Sequence, residues 1–254
     1  MKHWHFSELS YEEVQALDLK QVVAIVPVGA IEAHGPHLPL GTDVYLADAM
    51  ALAGAQALDP HGIRGLILPP LTYSVADFAA KFPGTISIRG ASMTNLLIDI
   101  ASNLVHHGIH RMALANAHLD PGNIHSLQKG KNTIESTMKM QVIFPDITRK
   151  PWAVRLGAEF RSGACHAGCY EGSMMMALRP ELVNESVRLS LPENPASLSH
   201  AIMSGKSNFE QAGGPRAYFG DPSAATAEEG HRTIALLGEI LCEAVLQGQE
   251  VFYS

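Results

Sequence analysis

The chain has 254 residues, of which 46% are hydrophobic and 17% are charged, a composition that excludes a disordered protein and suits a compact enzyme. Its formal net charge of -7 disfavours nucleic-acid binding, because a nucleic-acid binder needs a basic surface to neutralise phosphates. No stretch of about 18 apolar residues is present, so we expect no membrane span. The first ten residues do not resemble a signal peptide.

The cysteine content and the length indicate the compartment and the number of domains. Three cysteines, Cys165, Cys169 and Cys242, give no disulfide framework, so we expect a cytoplasmic protein. The length suits one large α/β domain, and we interpret residues 1–254 as a single domain.

Strand and helix signals alternate along the chain. Helices are predicted at residues 11–19, 45–57, 92–106, 123–138, 173–178 and 228–246, and strands at 22–28, 65–68, 112–115 and 140–144. The strand at 22–28, VVAIVPV, is a continuous apolar run that is typical of a parallel strand buried on both faces. The alternation predicts a three-layer α/β/α sandwich with a mainly parallel sheet. The Gly- and Pro-rich segment 191–225 is interpreted as a surface excursion or an oligomer contact.

The polar segment with the clearest functional signal follows the first predicted strand. Residues 27–43, PVGAIEAHGPHLPLGTD, bring Glu32, His34, His37 and Asp43 within twelve positions. Ligands gather at the carboxyl ends of strands in open α/β sheets, and divalent ions favour a mixture of carboxylate and imidazole. The segment therefore predicts a metal site, with His37 behind the ligands or facing the substrate; the alternative is an ordinary polar loop.

Two further clusters pair a histidine with an acid. His118 and Asp120 follow the strand at 112–115, so two strands deliver imidazole and carboxylate to one edge of the sheet. His166 and Glu171 form a third pair, which is weak when taken alone because such pairs arise by chance.

These segments resemble the creatininase (creatinine amidohydrolase) family from about residue 7 to residue 245. The longest match is residues 27–43, which correspond to the family's PVGSxEQHGPHLPLxTD. The other matches are FPGTIS at 82–87, NAH at 116–118 for the family's NGH, HAGCYEGS at 166–173 for HAGxxETS, RPELV at 179–183, and the GDPxxATAExG pattern at 220–230.

The resemblance implies a hydrolase that holds two divalent ions, zinc or manganese, in a homo-oligomer that is often a hexamer. Four residues match metal ligands, with Asp43 bridging the ions: Glu32, His34, Asp43 and His118. Asp120 stands where creatininases proper carry a ligating glutamate, and Glu171 matches the acid of HAGxxE. Which of the two binds metal is left open.

The implied chemistry is hydrolysis of a C–N bond in a small amide, including cyclic amides. Two cations lower the pKa of a shared water and polarise the substrate carbonyl. His166 matches a histidine that faces the substrate, as an oxyanion donor or a proton carrier. The leaving nitrogen then takes a proton from His166 or from an unligated Asp120 or Glu171.

Several positions around the centre depart from creatininases proper, so creatinine itself is not the expected substrate. Residues 161–165 contain no tryptophan, and Leu119 replaces an aromatic residue. Three alternatives remain: a hydrolase of cyclic ketones or formamides on the same centre, a non-catalytic metal-binding homo-oligomer, and a cysteine hydrolase that uses Cys165 or Cys169 beside His166.

Overall fold

The computed structural model describes residues 4–252, and the side chains of residues 4–248. The strands are β1 (Val22–Val28), β2 (Arg64–Ile67), β3 (Arg111–Asn116) and β4 (Gln141–Ile143). The helices are α1 (Tyr11–Gln15), α2 (Thr42–Leu58), α3 (Gly90–His106), α4 (Pro121–Thr137), α5 (Ala158–Ser162), α6 (Cys169–Leu178), α7 (Glu185–Ser190), α8 (Leu198–Met203), α9 (Phe209–Ala212) and α10 (Ala227–Phe252). In this part of the chain, no helix is both long and apolar enough to cross a membrane.

The four strands form a parallel sheet in the order β2-β1-β3-β4. All seven residues of β1 are buried, because helices cover both faces of the sheet. Val23 and Ile25 belong to a core shared with α2, α6 and α10, whereas Ala24 and Val26 belong to a core shared with α3 and α4. The predicted α/β/α sandwich is thus confirmed.

The chain order of the strands places a crevice at the ends of β1 and β3. After β1 the chain moves to β2 on one side and then crosses to β3 on the other, and Val28 pairs with Asn116. This is a topological switch point, where open α/β sheets bind ligands. Gly29 follows β1, and a Cβ there would lie 2.6 Å from the backbone nitrogen of Val44. Glycine therefore lets the first turn of α2 approach the strand end.

The segment 191–225 differs from its predicted role. It contains α8 and α9, and Phe209 and Phe219 are buried in a small third core with Phe78 and Ala33. The interpretation as a surface excursion was wrong, because aromatic side chains spaced among glycines pack inward here. The segment covers the crevice, with Leu198 and Phe209 lining its cavity. Its role as an oligomer contact stays a prediction.

Candidate metal centre

Four chain segments meet at the crevice. The loop after β1 carries Glu32 and His34, the first turn of α2 carries Asp43, the loop after β3 carries His118, and the first turn of α6 carries Glu171. These five residues are each exposed by 3% or less. Acidic residues are favoured in the first turn of a helix, where the helix dipole is positive.

Asp43 lies at the middle of the cluster. Its Oδ1 lies 3.1 Å from Nε2 of His34, and its Oδ2 lies 2.9 Å from Nδ1 of His118. Oε1 of Glu32 lies 3.3 Å from the same His118 nitrogen. On the other side, Oε2 of Glu171 lies 3.5 Å from Nε2 of His34. One carboxylate thus separates two imidazoles, each of which faces a further acid.

Three groups of side chains have ligand atoms close enough to share an ion: Glu32, Asp43 and His118; His34, Asp43 and Glu171; and Glu32, His34 and His166. Asp43 belongs to the first and the second group, which is the arrangement that a bridging carboxylate requires. His166 lies at the edge of the cluster, with Nδ1 3.7 Å from Oε1 of Glu32 and 3.9 Å from Oε2 of Glu171.

The three imidazoles are held in the same way, with one ring nitrogen beside a backbone carbonyl and the other facing the cluster. Backbone carbonyls lie 3.1 Å from Nδ1 of His34, 2.7 Å from Nε2 of His118 and 2.9 Å from Nε2 of His166. A carbonyl only accepts hydrogen bonds, so each of these nitrogens carries hydrogen, and the other nitrogen of each neutral ring turns a lone pair towards the carboxylates. Metal-ligating histidines are oriented by such outer contacts.

This donor set fits divalent cations. Three buried carboxylates that face three imidazole lone pairs would repel one another unless positive charge lies between them. Among the described side chains, Oε2 of Glu32 is buried without a hydrogen-bond partner, as expected of an oxygen reserved for an ion.

In the metal-free protein, protons supply part of that positive charge. Burial lowers the pKa of His34, but nearby carboxylates, foremost Asp43 and Glu171, raise it to about 10. Burial also lowers the pKa of His118, but Glu32 and Asp43 raise it well above its ordinary value. Burial raises the pKa of Glu171, His34 partly opposes this, and the result is about 8. Metal ions would have to displace these protons.

Metal binding is therefore expected to release protons. At pH 7 the imidazolium protons of His34 and His118 must leave. Glu171 is protonated in most molecules at this pH, and that proton must leave as well. Binding of both ions should release about two to three protons in total. The overall binding constant for the two ions should therefore fall by at least about 100-fold from pH 7 to pH 6. Calorimetric titration with Zn²⁺ in buffers of different protonation enthalpy measures the release. Binding that is independent of pH would contradict this account.

Asp120 does not join the cluster. Its Oδ1 accepts a hydrogen bond from the backbone nitrogen of Gly122 at 2.7 Å, which caps α4, and its Oδ2 accepts one from Phe78 at 3.0 Å. Among the described residues it belongs to none of the three ligand groups, although it borders the cavity above them. The geometry thus favours Glu171 as the further ligand, and the predicted ligand role of Asp120 is still untested.

His37 is buried and belongs to none of the three ligand groups. Burial and the neighbouring His34 and Arg188 lower its pKa to about 4, so it is neutral at pH 7. Its ring meets that of Tyr218 edge-on, with centroids 6.4 Å apart.

Sequence reasoning missed Glu159, a half-buried residue of α5 that holds the start of α6. Its carboxylate accepts hydrogen bonds from the backbone nitrogens of Cys169 at 3.0 Å, Tyr170 at 2.8 Å and Asp221 at 2.7 Å. The N-cap residue of α6, Gly168, has no side chain that could accept hydrogen bonds from the first turn. Glu159, which lies outside the helix, accepts them instead. No motif or periodicity in residues 153–165 points to it.

Replacing Glu159 with alanine should destabilise the fold and weaken the metal centre. Three backbone N–H groups would lose their acceptor, at an expected cost of about 2–3 kcal/mol in the free energy of unfolding. The first turn of α6 carries Glu171, so metal affinity should fall by roughly 10–100-fold. Denaturant titration and metal competition measure the two effects. Glu159→Gln should recover part of each, and Glu228→Ala, which removes only an exposed ion pair with Arg232, should change neither.

Proteins of known activity resemble this chain over most of its length. A mycofactocin precursor peptide peptidase from Mycobacterium ulcerans is 30% identical over 217 residues, which cover 83% of this chain and 79% of that protein. A creatinine amidohydrolase from Pseudomonas putida is 29% identical, covering 70% and 72%. A 3-dehydro-scyllo-inosose hydrolase from Thermotoga maritima is 24% identical, covering 71% of this chain and 58% of that protein.

Solved structures share the fold. A crystal structure of creatinine amidohydrolase superimposes with a TM-score of 0.75 at 24% identity and covers 97% of this chain and 98% of that one. A manganese form of creatininase gives a TM-score of 0.71, and a Zn-Zn form of a mutant creatininase gives 0.70, both at 22% identity and with the same coverage.

The family assignment follows from the match along the chain. The profile of the creatininase family, described as creatinine amidohydrolase, matches residues 7–245. This span includes every residue of the buried cluster. The chain therefore belongs to the creatininase family of hydrolases.

Proposed function

We propose that this protein is a metal-dependent hydrolase of amide C–N bonds. The observation that carries the proposal is the buried cluster in which Asp43 lies between two ligand groups, one with Glu32 and His118 and one with His34 and Glu171. Such a centre, open to a cavity at the carboxyl edge of a parallel sheet, can hold two divalent ions beside a substrate.

Zinc or manganese suits the donor set. Imidazole and carboxylate together are ligands that zinc accepts, and carboxylate-rich sites also bind manganese. The similar creatininase structures include a manganese form and a Zn-Zn form, which supports the same choice of ions here. When bound, the ions would lower the pKa of a water molecule and polarise the substrate carbonyl.

His166 is the residue best placed to move protons. Burial and the neighbouring His34 lower its pKa well below the ordinary value, so the ring is neutral. Its Nε2–H is held by the Ala33 carbonyl, which leaves Nδ1 as an acceptor that faces the cluster. We therefore propose that Nδ1 first accepts a proton and then passes it to the leaving nitrogen. In the neutral state Nδ1 cannot donate a hydrogen bond to an oxyanion. Of the two roles expected from the sequence, we therefore propose proton carrier rather than oxyanion donor.

Glu171 and Asp120 are held in fixed positions by backbone N–H groups. Ala167, whose φ of +52° is unusual for a residue other than glycine, donates to Oε2 of Glu171 at 2.6 Å. This contact orients Glu171 for a ligand role. Both oxygens of Asp120 are occupied as acceptors, so it is a poorer candidate for proton transfer than His166.

The relatives define the range of substrates to test. Two of them are named for peptide and creatinine hydrolysis, which both break a C–N bond. The third, named for 3-dehydro-scyllo-inosose hydrolysis, keeps a cyclic ketone as the alternative substrate on the same centre, and formamides remain a further alternative. The homo-oligomer, the hexamer and the cytoplasmic location expected from the sequence stay predictions.

The cysteine alternative is weakened by the environment of the thiols. Burial and nearby acids, Glu171 beside Cys165 and Glu159 beside Cys169, raise the pKa of each to about 12. A protonated thiol is a poor nucleophile. Cys169 also contacts Ser173 and Glu229, which favours a structural role.

The test is hydrolysis by metal-loaded protein of a panel of small cyclic amides, formamides, cyclic ketones and short peptides. The proposal predicts turnover of amides that is lost on chelation and kept in the Cys165→Ser, Cys169→Ser double variant. Turnover that survives chelation but is lost in the double variant would favour the cysteine alternative. Stoichiometric metal without turnover of any substrate would favour the non-catalytic metal-binding protein.

A further inference from the structure

The cavity above the metal centre is larger than a small cyclic amide requires. Its volume is about 980 Å³, and its floor includes Glu32, Asp43, His118, His166 and Glu171. This is at the upper end of the roughly 300–1,000 Å³ typical of sites that take drug-sized ligands. A substrate that fills it would extend well beyond the bond that is cleaved.

The wall next to the centre is apolar. Phe209 packs on the imidazole of His166 with ring centroids 4.4 Å apart, and Phe78 lies 6.1 Å from Phe209. Leu119 and Ile124 line the cavity near the end of β3, and Leu198 lines it from α8. Apolar groups of a substrate that displace water from these surfaces would stabilise the complex.

The outer part of the cavity is basic. Arg149, Lys150 and Arg161 line it and are exposed, and Asp146 is the acid beside them. Arg149 forms an ion pair with Asp146 at 3.2 Å. Among residues 4–248, neither Lys150 nor Arg161 has an ion-pair partner. Two uncompensated cations at the mouth of a cavity are notable in a chain whose net charge is -7.

We propose that the substrate is an amide with an apolar body and an anionic end, such as a short peptide or N-acyl amino acid with a free carboxylate. The apolar part would lie between Phe209 and Leu119, and the carboxylate would lie near Lys150 and Arg161. Exposed cations attract an anion mainly during encounter and weak binding. This inference rests on the proposed function, because it places the amide at the metal centre.

The test compares N-acetyl-Phe-Leu with its C-terminal carboxamide, which has nearly the same size and shape but no charge, and follows cleavage of the Phe–Leu bond. The metal-loaded protein should hydrolyse the carboxylate with a kcat/KM at least about 5-fold higher, mainly through KM, and added salt should reduce this preference. In the Lys150→Ala, Arg161→Ala double variant the preference should fall to about one. The matched control, Lys206→Ala with Arg232→Ala, removes two exposed cations that do not line the cavity and should keep the preference.

A binding measurement separates this inference from the proposed function. Calorimetry with N-acetyl-phenylalanine and its carboxamide should show tighter binding of the carboxylate by wild type and equal binding by the double variant. If no panel substrate is turned over, the proposed function fails, and calorimetry alone decides the inference. Equal affinity for the two probes in wild type, or a preference that persists in the double variant, would overturn it.

Discussion

Replacing Asp43 with alanine is expected to remove both metal ions and all measurable hydrolysis. Asp43 belongs both to the group with Glu32 and His118 and to the group with His34 and Glu171, so each of these two groups keeps only two ligands without it. The loss of kcat should exceed the roughly 10²–10³-fold that follows removal of one electrostatic stabiliser, because the whole centre is lost. Elemental analysis after gel filtration and single-turnover assays measure the two effects.

Two controls accompany the Asp43 variant. Asp99→Ala removes an exposed acid from α3 and should leave metal content and activity unchanged. Asp43→Asn keeps the shape of the side chain but not its charge, so it separates loss of ligation from loss of packing. Circular dichroism spectra like those of wild type would establish that the variants are folded. Unchanged metal content in folded Asp43→Ala would contradict the bridging role.

Removing the ions from the wild-type protein should lower its thermal stability as well as its activity. Each ion that binds the folded state alone stabilises it by about 4 kcal/mol when its concentration is 1,000 times the Kd. For a protein of this size, chelation should lower Tm by roughly 8–16 °C for each ion removed. Both Tm and turnover should return when Zn²⁺ or Mn²⁺ is added back.

The Tm measurement also distinguishes a site in this cluster from weak binding elsewhere. Apo protein should regain stability with Zn²⁺ but not with Mg²⁺, since imidazole ligands suit zinc and magnesium prefers oxygen donors. In Asp43→Ala the added metals should leave Tm unchanged. An equal rise in the variant and in wild type would place the stabilising ions outside the cluster.

The sequence predicted the parts of the fold that local pattern determines. Val22–Val28 matches its prediction to the residue, because a seven-residue apolar run rich in β-branched residues is typical of a strand covered on both faces. The placement of Glu32 and His118 at one edge followed from the parallel sheet, since the ends of neighbouring parallel strands coincide. The structure brings these two residues together with His34, Asp43 and Glu171 as expected.

Other features depend on contacts between distant segments and leave no local pattern. Glu159 acts on backbone groups of residues 169, 170 and 221, and nothing in its own neighbourhood marks it. The choice between Asp120 and Glu171 depends on which backbone N–H groups reach each carboxylate. The short helices α8 and α9 follow from burial of Phe209 and Leu198 over the crevice, which only the assembled fold provides.

The most direct test of the metal centre is a crystal structure of protein loaded with Zn²⁺, with anomalous data collected on both sides of the zinc absorption edge. Two zinc peaks about 3.5–4 Å apart are expected, the separation typical of two-metal sites. One should lie among Glu32, Asp43 and His118, and the other among His34, Asp43 and Glu171. A fully loaded crystal with no peak within bonding distance of Asp43 would contradict the account.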